Sequence, residues 1–303
     1  MENLDSLHIN FSPGSLWVLN AILGFIMFGV ALDLEKNDFV LLAKNWKSAL
    51  VGLFSQYILL PFTTYLLVMA LQPSPGLALG MFLIAACPVG NVTNLITKVS
   101  NGNVALSIGL SSTAHLLAAF VLPINFAIYG SLYPPTSMLM RQVNVDGQEM
   151  AITVFLIIAT PLLLGLLSKT YIPRFVQFSK AWFNRLSMLF LIFFILAAFA
   201  SNAKVLVENV RHVALLVVAQ NSLALGGGWI LGKLFRLPEP DVRTVTIESG
   251  IHNSGLGLFL IFQFFDGNGS MALVAVCWGV WHLISGWALA WYWGKQIPIQ
   301  PLK

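Results

Sequence analysis

The chain has 303 residues, of which 57% are hydrophobic and only 9% charged. A soluble domain carries about 25% charge; here apolar runs of about 20 residues, enough to cross a hydrocarbon core of about 30 Å, separate clusters of charge. That excludes a string of soluble domains and predicts an all-α polytopic membrane protein, 1–303 forming one unit; the net charge of +4 calls for no nucleic-acid partner.

In chain order, hydropathy predicts nine transmembrane helices, at about 13–32, 48–71, 76–97, 103–130, 150–168, 186–203, 212–232, 244–265 and 270–293. The first ten residues hold no Lys or Arg and make a poor signal peptide. Of the 16 Lys and Arg, 13 fall on one set of alternating loops: Lys36, Lys44, Lys47, Lys98, Lys169, Arg174, Lys180, Arg185, Lys233, Arg236, Arg243, Lys295 and Lys303. Only Arg141, Lys204 and Arg211 fall on the other set. Because basic residues stay cytoplasmic, this predicts a multi-pass protein of the cell inner membrane, N-terminus outside and C-terminus cytoplasmic. The longest polar loop, about 131–149 with Pro134 and Pro135, is expected outside.

A weak internal repeat runs through the chain. Gly102-Asn103-Val104-Ala105-Leu106 with His115-Leu116 resembles Gly269-Ser270-Met271-Ala272-Leu273 with His282-Leu283, at the same internal spacing. Gln56 resembles Gln220, and Asn94 resembles Asn253. Spans 1–4 thus map onto spans 6–9, with repeat 1 (four helices) at 13–130 and repeat 2 (five helices) at 150–293. An odd offset of five spans reverses each matched helix, so the repeat is inverted, a common plan for secondary transporters. Chance similarity among apolar helices is the competing explanation.

The two matched spans 3 and 8 are the irregular ones. Span 3 contains Cys87-Pro88-Val89-Gly90-Asn91-Val92-Thr93-Asn94, and span 8 contains Glu248-Ser249-Gly250-Ile251-His252-Asn253-Ser254-Gly255. Pro88 removes a donor and clashes with the preceding turn. Interruptions at corresponding places in two halves point to a transporter site, and non-helical backbone survives at membrane depth only where it is covered by protein or lines a cavity. Glu248 is the one acidic residue inside an apolar span, where a carboxylate costs several kcal/mol, on the order of 2.5–3.5 on insertion scales. No Lys or Arg lies within a span to pair with it, so a bound hard cation is the candidate partner, with oxygens offered by Thr93, Asn94, Ser107, Ser111 and Gln56. Two other readings stand beside this: Glu248 snorkels to the inner interface five residues after Arg243, or it is protonated and titrates. His115, His252 and His282 also lie in spans, His252 four residues after Glu248. The chain has no Walker A loop, no His-Glu-x-x-His and no paired Cys-x-x-Cys. Cys87 and Cys277 read as small core residues. An enzyme is not expected, because no nucleophile–base pair with a further signature is found.

Together these residues resemble the bile acid:sodium symporter family, its bacterial members included, from about Leu16 to the C-terminus. The anchors are Gly24-Phe25-Ile26-Met27-Phe28-Gly29, Cys87-Pro88, Thr93-Asn94, Gly102-Asn103-Val104-Ala105-Leu106-Ser107, the run from Glu248 to Gly255, and Trp281-His282. The resemblance implies panel and core domains, the panel from spans 1, 5 and 6, and two crossing discontinuous helices, spans 3 and 8, in the core. It implies a first sodium site at Thr93, Asn94, Ser107, Ser111 and Glu248. A second would use Gln56, Glu248, His252 and the carbonyls of Ser249 and Ile251. The family usually has Gln where this chain has His252, which leaves one or two Na⁺ open. Asn91, Asn253 and His282 would line the substrate cavity, altered where Leu283 replaces a polar residue. The expected function is sodium-coupled symport of an organic anion, bile-acid-like or a smaller carboxylate, by alternating access. The alternatives are proton or mixed coupling through Glu248 and His252, or a non-transporting membrane sensor of the same fold. The expected partners are the anion, sodium and the lipid bilayer.

Overall fold

A computed structural model describes residues 13–90, 92–142, 147–179, 182–183, 185–186, 189 and 203–296. The principal helices are α1 (Pro13–Asp33), α2 (Lys36–Lys44), α3 (Trp46–Leu71), α4 (Pro75–Ala86), α5 (Thr93–Val99) and α6 (Val104–Leu132). They continue as α7 (Pro134–Gln142), α8 (Gly147–Tyr171), α9 (Ala203–Leu234), α10 (Glu239–Gly250), α11 (Ser254–Phe264) and α12 (Gly269–Gly294). No strand of more than one bridge occurs among the described residues. Among the described residues, five helices are long and apolar enough to cross a membrane: α3, α6, α12 and the Ile152–Tyr171 and Val213–Leu234 parts of α8 and α9. The sixth expected span, 186–203, lies almost wholly outside the described residues.

Expected spans 3 and 8 each appear as two half-helices, α4–α5 and α10–α11, broken at the two polar runs. Cys87 and Ile251 leave their helices in extended conformation, with ψ of 147° and 102°. Two stretches expected as loops are helical instead. In α2, Asp38 and Leu42, one turn apart, are buried against α6, where Gly109 leaves room for the Asp38 carbonyl and the Leu42 side chain. The Asp38 carboxylate also accepts the Glu35 backbone N–H at 2.8 Å, closing the N-terminal turn. In α7, prolines open the helix, where a missing N–H costs nothing. Thr136 anchors that turn, its hydroxyl proton shared between the carbonyls of Gly130 at 2.6 Å and Tyr133 at 2.7 Å.

The α3 helix carries a feature that hydropathy does not show. Ser55–Leu59 forms a π turn, one residue wider than the α-helix on either side. Its displaced Tyr57 carbonyl accepts from Asn125 Nδ2 at 2.9 Å, and the Tyr57 hydroxyl donates to the Ala114 carbonyl at 2.8 Å. The turn buries Ser55, Gln56 and Tyr57 while Leu50, Phe54, Ile58, Phe62 and Leu66 form an outward apolar stripe at four-residue spacing.

Helices approach closely where side chains are small, as expected where lipid supplies no hydrophobic drive for association. Gly165 of α8 faces Ala31 of α1, and Gly228 of α9 faces Ser249 and Thr246 of α10. A Cβ at Gly80 would lie 3.0 Å from the Met271 Cα and 3.1 Å from its carbonyl oxygen, both rigid backbone of α12. Gly226 has nothing within 4 Å of the same position. Gly80→Ala is therefore expected to lower the thermal unfolding midpoint in detergent, with an overpacking cost of about 1–3 kcal/mol. Gly226→Ala should leave it unchanged or raise it, alanine being better in a helix by about 0.5–1 kcal/mol. Equal midpoints for the two variants would contradict this packing.

Candidate ion and substrate site

The two broken helices meet at their breaks. Gly90 N–H donates to the Ile251 carbonyl at 3.0 Å, and Asn253 N–H donates to the Pro88 carbonyl at 2.8 Å, making an antiparallel bridge between Val89 and His252. Each break supplies the donors that the other lacks. Another carbonyl at the breaks, that of Gly250, accepts from Asn221 Nδ2 at 2.7 Å, and Asn221 is held in turn by the Ser285 hydroxyl at 2.7 Å. The Asn253 side chain caps α11 by accepting from Leu256 N–H at 3.0 Å.

Glu248 is fully buried in the last turn of α10. Its Oε1 lies 2.5 Å from the Ser107 hydroxyl, and both carboxylate oxygens lie 3.2 Å from the Ser111 hydroxyl, these serines being one turn apart on α6. Ser107 Oγ also lies 2.8 Å from Asn94 Oδ1, and Thr93 Oγ1 lies 3.2 Å from Ser111 Oγ. All five side chains of the expected first cation site are therefore in one cluster, built from α5, α6 and α10. Three hydroxyls supply three protons, and a serine hydroxyl has only one to give. Ser107 therefore donates to Glu248, and the Asn94 amide, turned so that its NH2 faces Ser107 Oγ, donates to Ser107. The cluster is rich in lone pairs and short of positive charge. It holds one carboxylate, and no group of three His, Cys, Asp or Glu that could hold a metal ion occurs among the described residues.

The residues of the expected second site are near but differently engaged. Gln56, on the π turn, is 1% exposed, and neither its amide oxygen nor its amide nitrogen has a hydrogen-bond partner. Its neighbour Ser55 accepts from Ser249 Oγ at 2.7 Å, which ties the π turn to α10. The Ile251 carbonyl already accepts from Gly90. The His252 ring lies between two carbonyls, with Nδ1 2.7 Å from Cys87 O and Nε2 3.0 Å from Ser249 O.

Of the expected substrate residues, Asn91 lies outside the described residues. Asn253 and His282 are both buried. The α12 helix passes along the break, Trp278 edge-on to the His252 ring at 6.0 Å, Gly279 against Ser254 and Gly286 against Ile251. His282 lies between those two glycines, and its Nδ1 is buried without a partner.

Sequence reasoning missed Ser55, Asn221 and Arg243. Asn221 follows Gln220 in an apolar run, a polar pair that could have drawn notice. Arg243 counted only as a loop charge, yet it is 2% exposed. Its guanidinium donates to Ser100 O at 2.8 Å, Trp293 O at 3.4 Å and Gln296 Oε1 at 2.6 Å, and faces the Trp293 ring. It therefore places a cation at the C-terminal ends of α5 and α12, where helix dipoles favour one, and ties the helix bearing Glu248 to the helix bearing Thr93 and Asn94.

Interrupted helices crossing inside an apolar helical bundle, with polar groups gathered at the crossing, are the architecture of a membrane transporter. The chain belongs to the sodium bile acid symporter family, whose family model matches residues 20–209. It is 27% identical over 294 residues to the uncharacterized sodium-dependent transporter YocS of Bacillus subtilis, covering 95% of this chain and 88% of that one. It is 28% identical over 275 residues to a protein of Oryza sativa named as a probable chloroplastic sodium/metabolite cotransporter, BASS2, covering 90% of this chain and 63% of that one. It is 28% identical over 260 residues to sodium/bile acid cotransporter 5 of Rattus norvegicus, covering 85% and 58%. These are transporters and not enzymes.

The Arg243 clamp yields a test. Arg243→Lys keeps the charge but loses the planar fork that reaches three acceptors on two elements. Thermal unfolding should show a loss of about 1.5–3 kcal/mol, the usual worth of a hydrogen bond to a charged group. A midpoint equal to wild type would show that the clamp does not hold the helix ends.

Proposed function

We propose that the chain is a sodium-coupled symporter that moves a small organic anion by alternating access. The observation that carries this reading is the cluster of Thr93, Asn94, Ser107 and Ser111 around buried Glu248. A carboxylate at membrane depth is costly unless paired, and this one is surrounded by neutral hydroxyl and amide groups with no counter-charge among them. A hard monovalent cation supplies what is missing. A divalent ion would leave a net positive charge in the same apolar surroundings, which is again unfavourable. The orphaned amide of Gln56 supports a further oxygen ligand beside the cluster. Asn253 and His282 flank the same crossing and are the groups we assign to the anion, with Asn91. The organic-anion assignment draws on relatives named as carriers of metabolites and bile acid. The rest of the proposed plan is nine spans, repeats at 13–130 and 150–293, a panel of spans 1, 5 and 6, and an inner-membrane protein with its N-terminus outside. The two broken helices paired break to break support the inverted repeat.

A specific observation favours a second reading, in which His252 takes the place of one sodium. Neither carbonyl beside its ring can donate. A neutral imidazole has one N–H and leaves one contact without a proton, whereas an imidazolium satisfies both. The symporter would then couple to one Na⁺ and carry a proton in the second position.

Sodium chloride should raise the unfolding midpoint of the purified protein, and potassium chloride should not. A ligand bound only by the folded state contributes about 2.7 kcal/mol at a hundredfold excess over Kd. Glu248→Gln, which keeps shape and removes charge, should fold but lose both this stabilisation and sodium-driven uptake in proteoliposomes. Identical melting of the wild type in the two salts would end the sodium reading. For the second reading, His252→Gln should steepen the sodium dependence of uptake and flatten its response between about pH 5.5 and 7.5, where histidine ordinarily titrates. Unchanged Hill slope and pH profile would leave His252 a structural hydrogen-bonding residue.

A further inference from the structure

Next to the Glu248 cluster, towards α2, lies a cavity of about 80 Å³. At about 30 Å³ per molecule it has room for two or three waters. Its polar lining is Asp33, Asn94, Ser111, Ser112 and His115. Asn94 and Ser111 belong to the cluster as well, so the cavity and the cluster are contiguous. His115 is 3% exposed, and its Nδ1 lies 2.6 Å from the Ser111 carbonyl. A carbonyl only accepts, so Nδ1 carries the ring N–H and Nε2 carries a lone pair. That Nε2 is buried and has no hydrogen-bond partner. Ser112 directs its proton to the Asp38 carboxylate at 3.3 Å, which leaves its oxygen lone pairs for the cavity. Asp33 is exposed at the last residue of α1. Lys169 donates to the Leu34 carbonyl, and the lining of the cavity contains no Lys or Arg.

We infer that this cavity is a hydrated passage for a monovalent cation between the Glu248 cluster and the membrane face that carries α2, with His115 Nε2 as an intermediate ligand and Asp33 at the mouth. The inference rests on the sodium reading above and adds a route to it. An ion leaving the cluster must replace its oxygen ligands stepwise, by water and by lone pairs along the way. Ser111, His115, Ser112 and Asp33 supply such a series in a volume of about 80 Å³. A passage differs from a binding site in what it controls: it sets how fast the ion exchanges and leaves the equilibrium affinity alone.

The test follows ²²Na⁺ on bead-captured, purified full-length protein by scintillation proximity. Equilibrium binding gives Kd, and a chase with unlabelled sodium gives the release rate. His115→Phe removes the lone pair and fills the same space; His115→Gln keeps a donor for the Ser111 carbonyl and an acceptor for the ion. His115→Phe should slow release about tenfold, as expected when one contact of about 1.4 kcal/mol is lost from the path, with Kd within about twofold. His115→Gln should release at nearly the wild-type rate. Asp33→Asn, at an exposed position, should slow release in the same way and carries the test if His115→Phe does not melt cooperatively. Wild-type release rates in both His115→Phe and Asp33→Asn, or a Kd change that accounts for the whole rate change, would overturn the passage. A wild-type protein that holds no ²²Na⁺ would overturn the sodium reading itself, and the passage with it.

Discussion

Everything at the centre of this molecule depends on one accounting rule for backbone polar groups in a bilayer. A helix that stops at membrane depth exposes carbonyls and N–H groups that lipid cannot satisfy, each at a cost of several kcal/mol. The protein stops two helices there and sets each break against the other. Gly90 and Asn253 donate across the gap to Ile251 and Pro88. The carbonyls of Cys87 and Gly250 are met by His252 and Asn221. The irregular backbone is tolerated because none of these groups is left facing lipid.

That pairing brings the polar side chains of the two runs to one place. Glu248 stands one turn before its break, and Thr93 and Asn94 stand just after theirs. Joining the breaks therefore brings the carboxylate towards the hydroxyl and amide, and α6 contributes Ser107 and Ser111 from one face. The cluster is supported from outside as well. Asp241 accepts from Ser48 at 2.5 Å and from Asn103 at 2.8 Å, which fixes the start of α10 to α3 and α6. Arg243 does the same for the far ends of α5 and α12. Ionic and polar residues thus hold the frame at one end of the broken helices, and Glu248 is the charge left inside.

Much of this could be read from the chain itself. Apolar run length gave helices close to where the spans were drawn, and Pro88, Gly90 and Gly250 marked both breaks, because those residues lack a donor or weaken a helix whatever surrounds them. The four oxygen-bearing side chains around Glu248 were legible with Gln56 as candidate cation ligands, because polar residues are few in apolar spans, and the geometry gathers the four. Other features depend on tertiary packing and leave no local mark. The π turn at Ser55–Leu59 contains no Pro or Gly to mark it, and the partner that covers its carbonyl at Tyr57, Asn125, is 68 positions away. Arg243 and Asp241 look like ordinary loop charges until their partners on α3, α5, α6 and α12 are in place. The helices α2 and α7 were expected as loops because each is short and mean hydropathy averages away a narrow buried face. The engaged state of the second-site carbonyls was equally hidden, since it depends on where the His252 ring points, for Ser249, and on Gly90 meeting Ile251 across the breaks.

The pairing of the breaks also sets an order of assembly. His252 and the Cys87 carbonyl it meets are 165 positions apart, and Ser107 and Glu248 are 141 apart. During synthesis the chain emerges from its N-terminal end at roughly 5–20 residues per second. The first broken helix therefore waits many seconds beyond its own appearance for the second. In that interval its open carbonyls and hydroxyls must be covered by water, by lipid headgroups or by the insertion machinery. The first half of the molecule is consequently a poor independent unit, and a chain truncated before α10 would hold a membrane-depth break with no partner.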